Sequence, residues 1–516
     1  MAAEPTPTRP ALPLPADAGM QDPDRVQVEA FGAVGDCTTD DAPAIQAAIA
    51  HATANGSHRV QLGSKCYRWG SAVSITSLIR LQGAGWSDTG TAGTRLHITG
   101  TGYVPLTISG PGASGTEIRD VQLQQDQPPP GLGWAPTVYP PAFVVSNVNG
   151  RVVFDNVFAF PIYDLISASY TQRLQVDHLY GHVLHNALRE EWAYDTSHVG
   201  TIHLWPYWSQ DANVVNWSVA NADQVVLGRV DGFVAQDLFT FGARSCVKLV
   251  QSPTVQPGAP GGNTSNLDVA ALYCDSTKWP IWVTAPPHGD VRNPAFGHIG
   301  GAFLQGQQFN DPNGTPIPAS TGLLVDAGAA VNLHIDSFRA ERFESNAVRV
   351  SSTAAPTILR FGAFDVRWIN SLSNGSAAVS LASPAPTLPH EVAFGTPPRI
   401  TLSSNAFLLN ASNALVVKPG GLSAIQPAVT GTAYQVPNST PFYVLSASAA
   451  LVEVTLNLPL VPSEGVQEIV SSMNVAKFTL NAAPGQTLSN APTALTAHVA
   501  IRLVWVPGAA TWQRLQ

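Results

Sequence analysis

Charge is the first thing this chain has little of. Only 12% of its 516 residues are Asp, Glu, Lys or Arg, against 45% apolar, and the net charge is −9. No cluster of Lys and Arg stands out, so nucleic acid is not expected as a partner. A local group of arginines could still hold an acidic polysaccharide. Long apolar runs are missing too. None reaches the roughly eighteen residues of a membrane-spanning helix, so no membrane partner is expected. Cysteine is sparse: Cys37, Cys66, Cys246 and Cys274 form no CxxC or CxxH pair. A structural zinc site is therefore not expected, and no metal or cofactor is assigned. Punctuation, by contrast, is plentiful: 43 Gly and 42 Pro suit many short strands and turns rather than long helices. The length exceeds one compact globule, but not one elongated solenoid with a small appendage.

Short runs rich in Val, Ile, Leu and Phe recur between Gly, Asn, Asp and Ser, for example at 94–100, 116–126, 151–160, 172–181, 197–205, 298–306 and 357–368. They return roughly every 20 to 30 residues, as expected of a parallel β-helix, in which one coil cannot bury its own inward face. About a dozen coils at the strand spacing would give a rod some 60 Å long. Asp120, Asp155-Asn156 and Asp336 precede apolar pairs and read as corners. Two Pro/Gly-rich insertions, 127–141 and 255–266, leave the rod. From about 425 apolar and small polar residues alternate, as an antiparallel β domain would.

Near the N-terminus, Phe31 to Ile49 reads FGAVGDCTTDDAPAIQAAI. A Gly-rich turn leads to Thr38-Thr39-Asp40-Asp41, and then to a helical pattern at Ala44, Ile45, Ala48 and Ile49. Thr39 or Asp40 can cap that helix, and Pro43 is harmless in its first turn. The stretch resembles the opening signature of the pectate-lyase-like family of right-handed parallel β-helices. That resemblance implies an all-β solenoid with an N-terminal capping helix, and assigns Asp36, Asp40 and Asp41 to turns and caps. Cys37 and Cys66 stand where the family has Gly, in segments expected to lie close together, so a disulfide there is open. Cys246 and Cys274 are expected to stack as small core residues. Leu458-Pro459, Glu464-Gly465 with Ile469, and the closing AIRLVWVPGAATWQRLQ resemble small β-sandwich modules at the ends of phage tail proteins. Together the parts resemble a tailspike-type polysaccharide depolymerase. This implies a homotrimer, a polysaccharide partner and an extracellular or virion-associated setting. The boundaries expected are a flexible Pro/Ala-rich lead-in at 1–25, a cap at 26–70, the β-helix at 71–420 and a C-terminal antiparallel β-sandwich at 421–516. The lead-in does not read as a secretion signal.

Chemistry concentrates at 189–217, which holds four of the twelve tryptophans. Aromatic faces stack on the C–H faces of sugars, and carboxylates serve hydroxyls or catalysis. Candidate catalytic acids are Glu190, Glu191, Asp211 and Asp195. Candidate substrate-binding residues are Trp192, His203, Trp205, Tyr207, Trp208 and Arg189. Glu190 and Glu191 point opposite ways on a strand, so at most one faces a groove. His198 and His203, five apart, fall on opposite faces of a continuous strand. Further acids are Asp223, Asp231 and Asp237, and Glu341 and Glu344 beside Arg339 and Arg342. The expected reaction is endo-hydrolysis of a glycosidic bond by two carboxyl groups. A lyase using Arg189, His203 or Tyr207 on a uronate glycan, and a non-catalytic glycan-binding spike, are the alternatives.

Overall fold

The computed structural model describes residues 24–255, 260–284, 294–306, 320–351, 357–369, 377–381, 390–396, 399–402, 407–411, 424–436, 442–447, 449–462 and 466–515. Nearly all of the lead-in, the tip of the second insertion, and Glu464 and Gly465 lie outside the described residues.

Strand follows strand in parallel register. Val176 lies beside Val199, then come Ala235, Val269, Ile299, Ile335 and Phe361, one from each successive coil. All seven are buried. Twenty-five strands from Val26–Gln27 to Phe407–Ala411 join this one system. The chain is mostly β and forms a parallel β-helix. Its core is a column of apolar side chains, each layer covered by the next, because a single coil leaves its inward face half exposed.

The coils turn at residues with positive φ. Asp120 and Asn156 stand at +58° and +53°, a conformation that Asn and Asp tolerate better than most side chains. Asn156 Nδ2 donates to Asp120 Oδ1 at 2.7 Å, so the corners form a side-chain ladder. Tyr170 and Trp192 also have positive φ and stack at 5.1 Å with an 8° interplanar angle. A bend at Gly200 breaks the simple alternation. Val199 and Ile202 both point inward, while His198 is exposed and His203 half-buried. The two histidines therefore both face outward on adjoining faces, not on opposite ones. The expectation assumed a straight strand.

Helix α1 (Ala42–Ala54) carries Pro in its first turn and sends Ile45, Ala48, Ile49 and Ala52 into the main core. Asp40, not Thr39, takes the Ala42 N–H at 3.2 Å, and it also accepts from Gly70 N at 2.8 Å. Asp41 turns back to accept from Val34 N at 2.6 Å. Asp36 accepts from the backbone of Thr38 and Thr39 at 2.8 and 2.7 Å. Thus all three acids of the opening motif serve backbone N–H groups.

Two disulfides are present. Cys37 and Cys66 are joined with Cα atoms 4.9 Å apart. Cys246 and Cys274 are joined as well, with Cα atoms 6.3 Å apart; the expectation of two merely stacked cysteines is corrected. Both side chains point into the same core from consecutive strands on different faces of the coil, Ser245–Leu249 and Leu267–Asp275, and the Cα separation is within bonding reach. The Cys246–Cys274 link closes a loop of 28 residues, worth about 3.6 kcal/mol in loop entropy. Replacing both cysteines by Ala is expected to lower the urea midpoint, read by far-UV circular dichroism. An unchanged midpoint would count against the bond.

The C-terminal region also departs from expectation. It contains a six-stranded and a three-stranded sheet around its own apolar cluster of Tyr443, Leu445, Leu456, Ile469, Leu503 and Trp512. Yet its first strands pair in parallel: Ala424–Pro427 with Phe442–Ser446, and Leu451–Asn457 with Val475–Asn481. Among the described residues of this region, antiparallel pairing appears where Ile501–Val506 meets Val466–Ser471 and Thr511–Arg514, and in a single bridge between Val475 and Leu495. Alternation reports that one face of a strand is buried. It does not report the direction of the neighbour.

Candidate functional site

Outward positions of consecutive coils line up as strictly as the inward ones. Tyr180, His203, Phe239, Tyr273, Phe303 and Arg339 form one register column. Their rings touch in sequence. Tyr180 and His203 are 6.1 Å apart between centroids, His203 and Phe239 4.4 Å, Phe239 and Tyr273 5.0 Å, and Tyr273 and Phe303 4.7 Å. Arg339 caps the series, its guanidinium 4.7 Å from the Phe303 ring. Five steps at the strand spacing make a track of roughly 24 Å. Each of the six side chains is half-buried, so ring surface is available along the flank.

A second outward column runs beside the first, two residues further along each strand. Trp205 meets Phe241 at 4.7 Å, Phe241 is in register with Asp275, and Gln305 with Glu341 and then Arg367. On the other side of the rings lie Thr201, Asp237, Ala271, Gly301 and Ser337. These are mostly small, which leaves a trough along the aromatic ridge. Acids border it. Burial pushes the Tyr273 hydroxyl pKa up, and the negative charges of Asp275 and Glu341 add to that shift. Burial pushes the His203 imidazole pKa down, with Asp237 opposing. Glu341 is only 7% exposed, covered in part by Arg339, whose Nη2 donates to it at 3.1 Å, and Asp275 Oδ1 accepts from Ser276 Oγ at 3.0 Å.

The other residues singled out in the sequence are scattered. Glu190 points into the coil, 0% exposed, and cannot meet a polymer on the flank. Its Oε1 accepts from Ser197 Oγ at 2.6 Å and Thr171 Oγ1 at 3.3 Å, while Oε2 is buried without a partner. Burial raises its pKa to about 7, against the two hydroxyl bonds. Glu191, on the opposite side of the strand, is held by Arg189 and by Ser252 Oγ at 2.8 Å. Trp192 donates to the Pro253 carbonyl at 3.0 Å. Asp195 is exposed, 3.8 Å from Arg173. Asp211 caps α2 (Ala212–Asn221), accepting from Asn213 N at 2.8 Å. Glu191 and Asp211 share no partner.

Trp208 joins Trp134 of the first insertion, 6.1 Å away, and Trp134 meets Trp217 edge-on at 6.0 Å. With Leu184 and Val214 they form a small separate core that pins the insertion to α2. His182, 6.0 Å from Trp208, is buried enough to push its pKa to about 3 and is neutral. Tyr207 sits edge-on to Phe158 at 5.3 Å, near the Tyr180 end of the track. Asp223 is buried beneath Arg244 and Lys248, the latter at 2.7 Å. Burial alone would raise its pKa, but the two cations outweigh that and lower it. Asp231 pairs with Arg229 at 3.0 Å. Glu344 is buried and accepts from Ser320 N at 3.0 Å.

Of the sequence candidates, then, His203, Trp205, Asp237 and Glu341 share one face, with Tyr207 at its end. Tyr180, Phe239, Tyr273, Phe303 and Asp275 belong to the same face and were not anticipated. A signal existed: HLYG, IHLW, LFTF, LYCD and AFLQ each place an outward residue after an inward one. Aligning those short runs coil on coil would have revealed the column.

No known family model matches the sequence, and no curated protein matches it. Among solved structures, the chain is similar to the A-module of a mannuronan C-5 epimerase from Azotobacter vinelandii, with 13% identity over 89% of this chain and 100% of that one, at a TM-score of 0.34. It is similar to a DFA-IIIase from Arthrobacter chlorophenolicus, with 12% identity over 79% and 95% and a TM-score of 0.40. It is also similar to tailspike protein 3 of bacteriophage CBA120, with 12% identity over 95% and 69% and a TM-score of 0.30.

Proposed function

We propose that the chain is a carbohydrate-active protein that holds an extended polysaccharide along the aromatic track and cleaves it by glycoside hydrolysis. The observation that carries this reading is the unbroken outward column from Tyr180 to Phe303 with Asp237, Asp275 and Glu341 along its edges. Rings held at ladder spacing offer stacking surface to successive sugars, and the acids beside them serve hydroxyls and the scissile bond. Asp275 follows Cys274, and Glu341 follows Ala340, two ladder steps on through Leu304. That puts their backbones about 9.6 Å apart along the rod, just beyond the span of about 6.5–9.5 Å between carboxyl groups that leaves room for an attacking water in inverting hydrolysis. Glu341, fixed by Arg339, takes a proton from the attacking water, whose oxygen bonds to the anomeric carbon as the glycosidic C–O bond breaks and Asp275 gives its proton to the leaving oxygen.

The test is polymer length. Purified bacterial capsular and exopolysaccharides are incubated with the chain and followed by size-exclusion light scattering and reducing-end assay. Shortening with new reducing ends supports the reading; binding without shortening leaves a glycan-binding spike. An ultraviolet-absorbing unsaturated product would select the lyase instead, with His203 as base. That alternative is favoured by one observation, the half-buried imidazole whose pKa burial lowers against the opposing charge of Asp237. Replacing Phe239 and Tyr273 by Ala should weaken polymer binding by about tenfold per ring, measured by affinity electrophoresis. Unchanged mobility would remove the track from the account.

Setting and assembly follow from the same reading. Two disulfides suit an oxidising, extracellular location. Val452, on a strand, and Leu460, Val461 and Val499, in the connections, are more than half exposed in the C-terminal region, and closing three copies about this region would cover them. Sedimentation equilibrium reads the trimer directly.

A further inference from the structure

A second group of side chains lies around the corner from the aromatic track. Asp268, His298 and His334 occupy one register column on three consecutive coils. Asp336 follows His334 by two residues on the same strand, Val331–Glu341. His298 Nε2 is 3.0 Å from Asp336 Oδ2, and His334 Nε2 is 3.5 Å from Asp336 Oδ1. One ligand atom from each of His298, His334 and Asp336 falls within 4.8 Å of the other two. The opposite nitrogen of His298, Nδ1, is 3.0 Å from Asp268 Oδ1. A carboxylate on the far nitrogen is the usual outer partner of a metal-bound histidine, since it fixes the tautomer and turns the ring toward the ion.

The surroundings leave space. Between flanking register pairs the coils below and above Asp336 carry Ala270, Gly300 and Gly362, while Arg360 stands in register with His334 on the next coil. A Cβ at Gly362 would lie 2.5 Å from the Asp336 carbonyl oxygen, so the coil above can bear no side chain there. Asp336 and His334 are exposed and His298 half-buried, which leaves solvent-facing coordination positions free for water.

We propose that His298, His334 and Asp336 bind one divalent transition-metal ion of the zinc class, with Asp268 as the orienting partner of His298. Two imidazoles and one carboxylate suit zinc, and a three-ligand protein set leaves at least one position open. All four residues sit on strands held from both sides, so the ligand set is rigid. Spacing within single segments gave no sign of this site, because its ligands come from two coils. The metal site stands apart from the carbohydrate reading and survives its failure.

Zinc is added to the EDTA-treated full chain and followed by isothermal titration calorimetry, with cobalt(II) as a visible-absorption reporter. One ion per chain is expected. His334→Ala and Asp336→Asn should each weaken binding at least a hundredfold, and Asp268→Asn tenfold to a hundredfold with the stoichiometry kept. His334 and Asp336 are exposed, and circular dichroism of each variant checks the fold. The cobalt spectrum of the unaltered chain needs no variant. Absence of any binding, absence of cobalt bands, or equal affinity in His334→Ala and the unaltered chain overturns the proposal. In that case His298 is an imidazolium bridging two aspartates and nothing more.

Discussion

Glu341→Gln and Asp275→Asn are each expected to slow polymer shortening by about 100-fold or more, the usual loss when a positioned acid or base is removed. Both substitutions keep shape. The amide introduced by Glu341→Gln retains an oxygen for Arg339, which holds the native carboxylate at 3.1 Å. The amide introduced by Asp275→Asn likewise retains an oxygen for Ser276. Binding to the ring track should persist, so the loss should appear in kcat rather than in polymer affinity. Asp211→Asn is the matched control. Asp211 is exposed and caps α2, Asn caps nearly as well, and the cleavage rate should stay at the unaltered level. A pattern in which Asp211→Asn is inactive and Glu341→Gln is not would transfer the chemistry to the 189–217 segment.

The second large effect concerns stability. Glu190 titrates at about 7 in the folded chain, against an ordinary value of 4.5. Its folded pKa is raised, so the folded state binds the extra proton between those values. Stability associated with the protonated group is fully present below about 4.5 and is lost as pH rises through 7. The full difference amounts to about 3 kcal/mol. Glu190→Gln removes the titration and keeps an oxygen for Ser197 and Thr171. Unfolding midpoints of the two chains should agree near pH 4.5 and diverge by about pH 8, where the Gln chain is the more stable. Equal midpoints at the alkaline end would mean that Glu190 is not sealed in the core.

Much of the architecture was legible in the sequence because its causes are local. The Asp36 to Asp41 turn, the proline-led helix and the corner residues Asp120 and Asn156 each follow from residue type and immediate neighbours. The function-bearing face was less legible because it depends on register. His203 and Phe239 touch only because the intervening α2 and its loops bring Leu204 beside Thr240, and insertion lengths hide that alignment. Glu190 and Glu191 show the opposite case. Alternation correctly sends them to opposite sides of the strand, but period alone does not say which side is interior. The Cys246–Cys274 bond and the parallel C-terminal pairs were missed for the same reason: both depend on which strands come to lie together, not on the pattern within one strand.

The central claim is that a sugar chain lies lengthwise on the column from Tyr180 to Phe303. A crystal structure of the chain with a bound oligosaccharide tests it most directly. Sugar rings should stack along Phe239, Tyr273 and Phe303, with a glycosidic oxygen between Asp275 and Glu341. Density for the oligosaccharide on another surface, such as the arginine-lined face of Arg80 and Arg119, with the track bare, would contradict it.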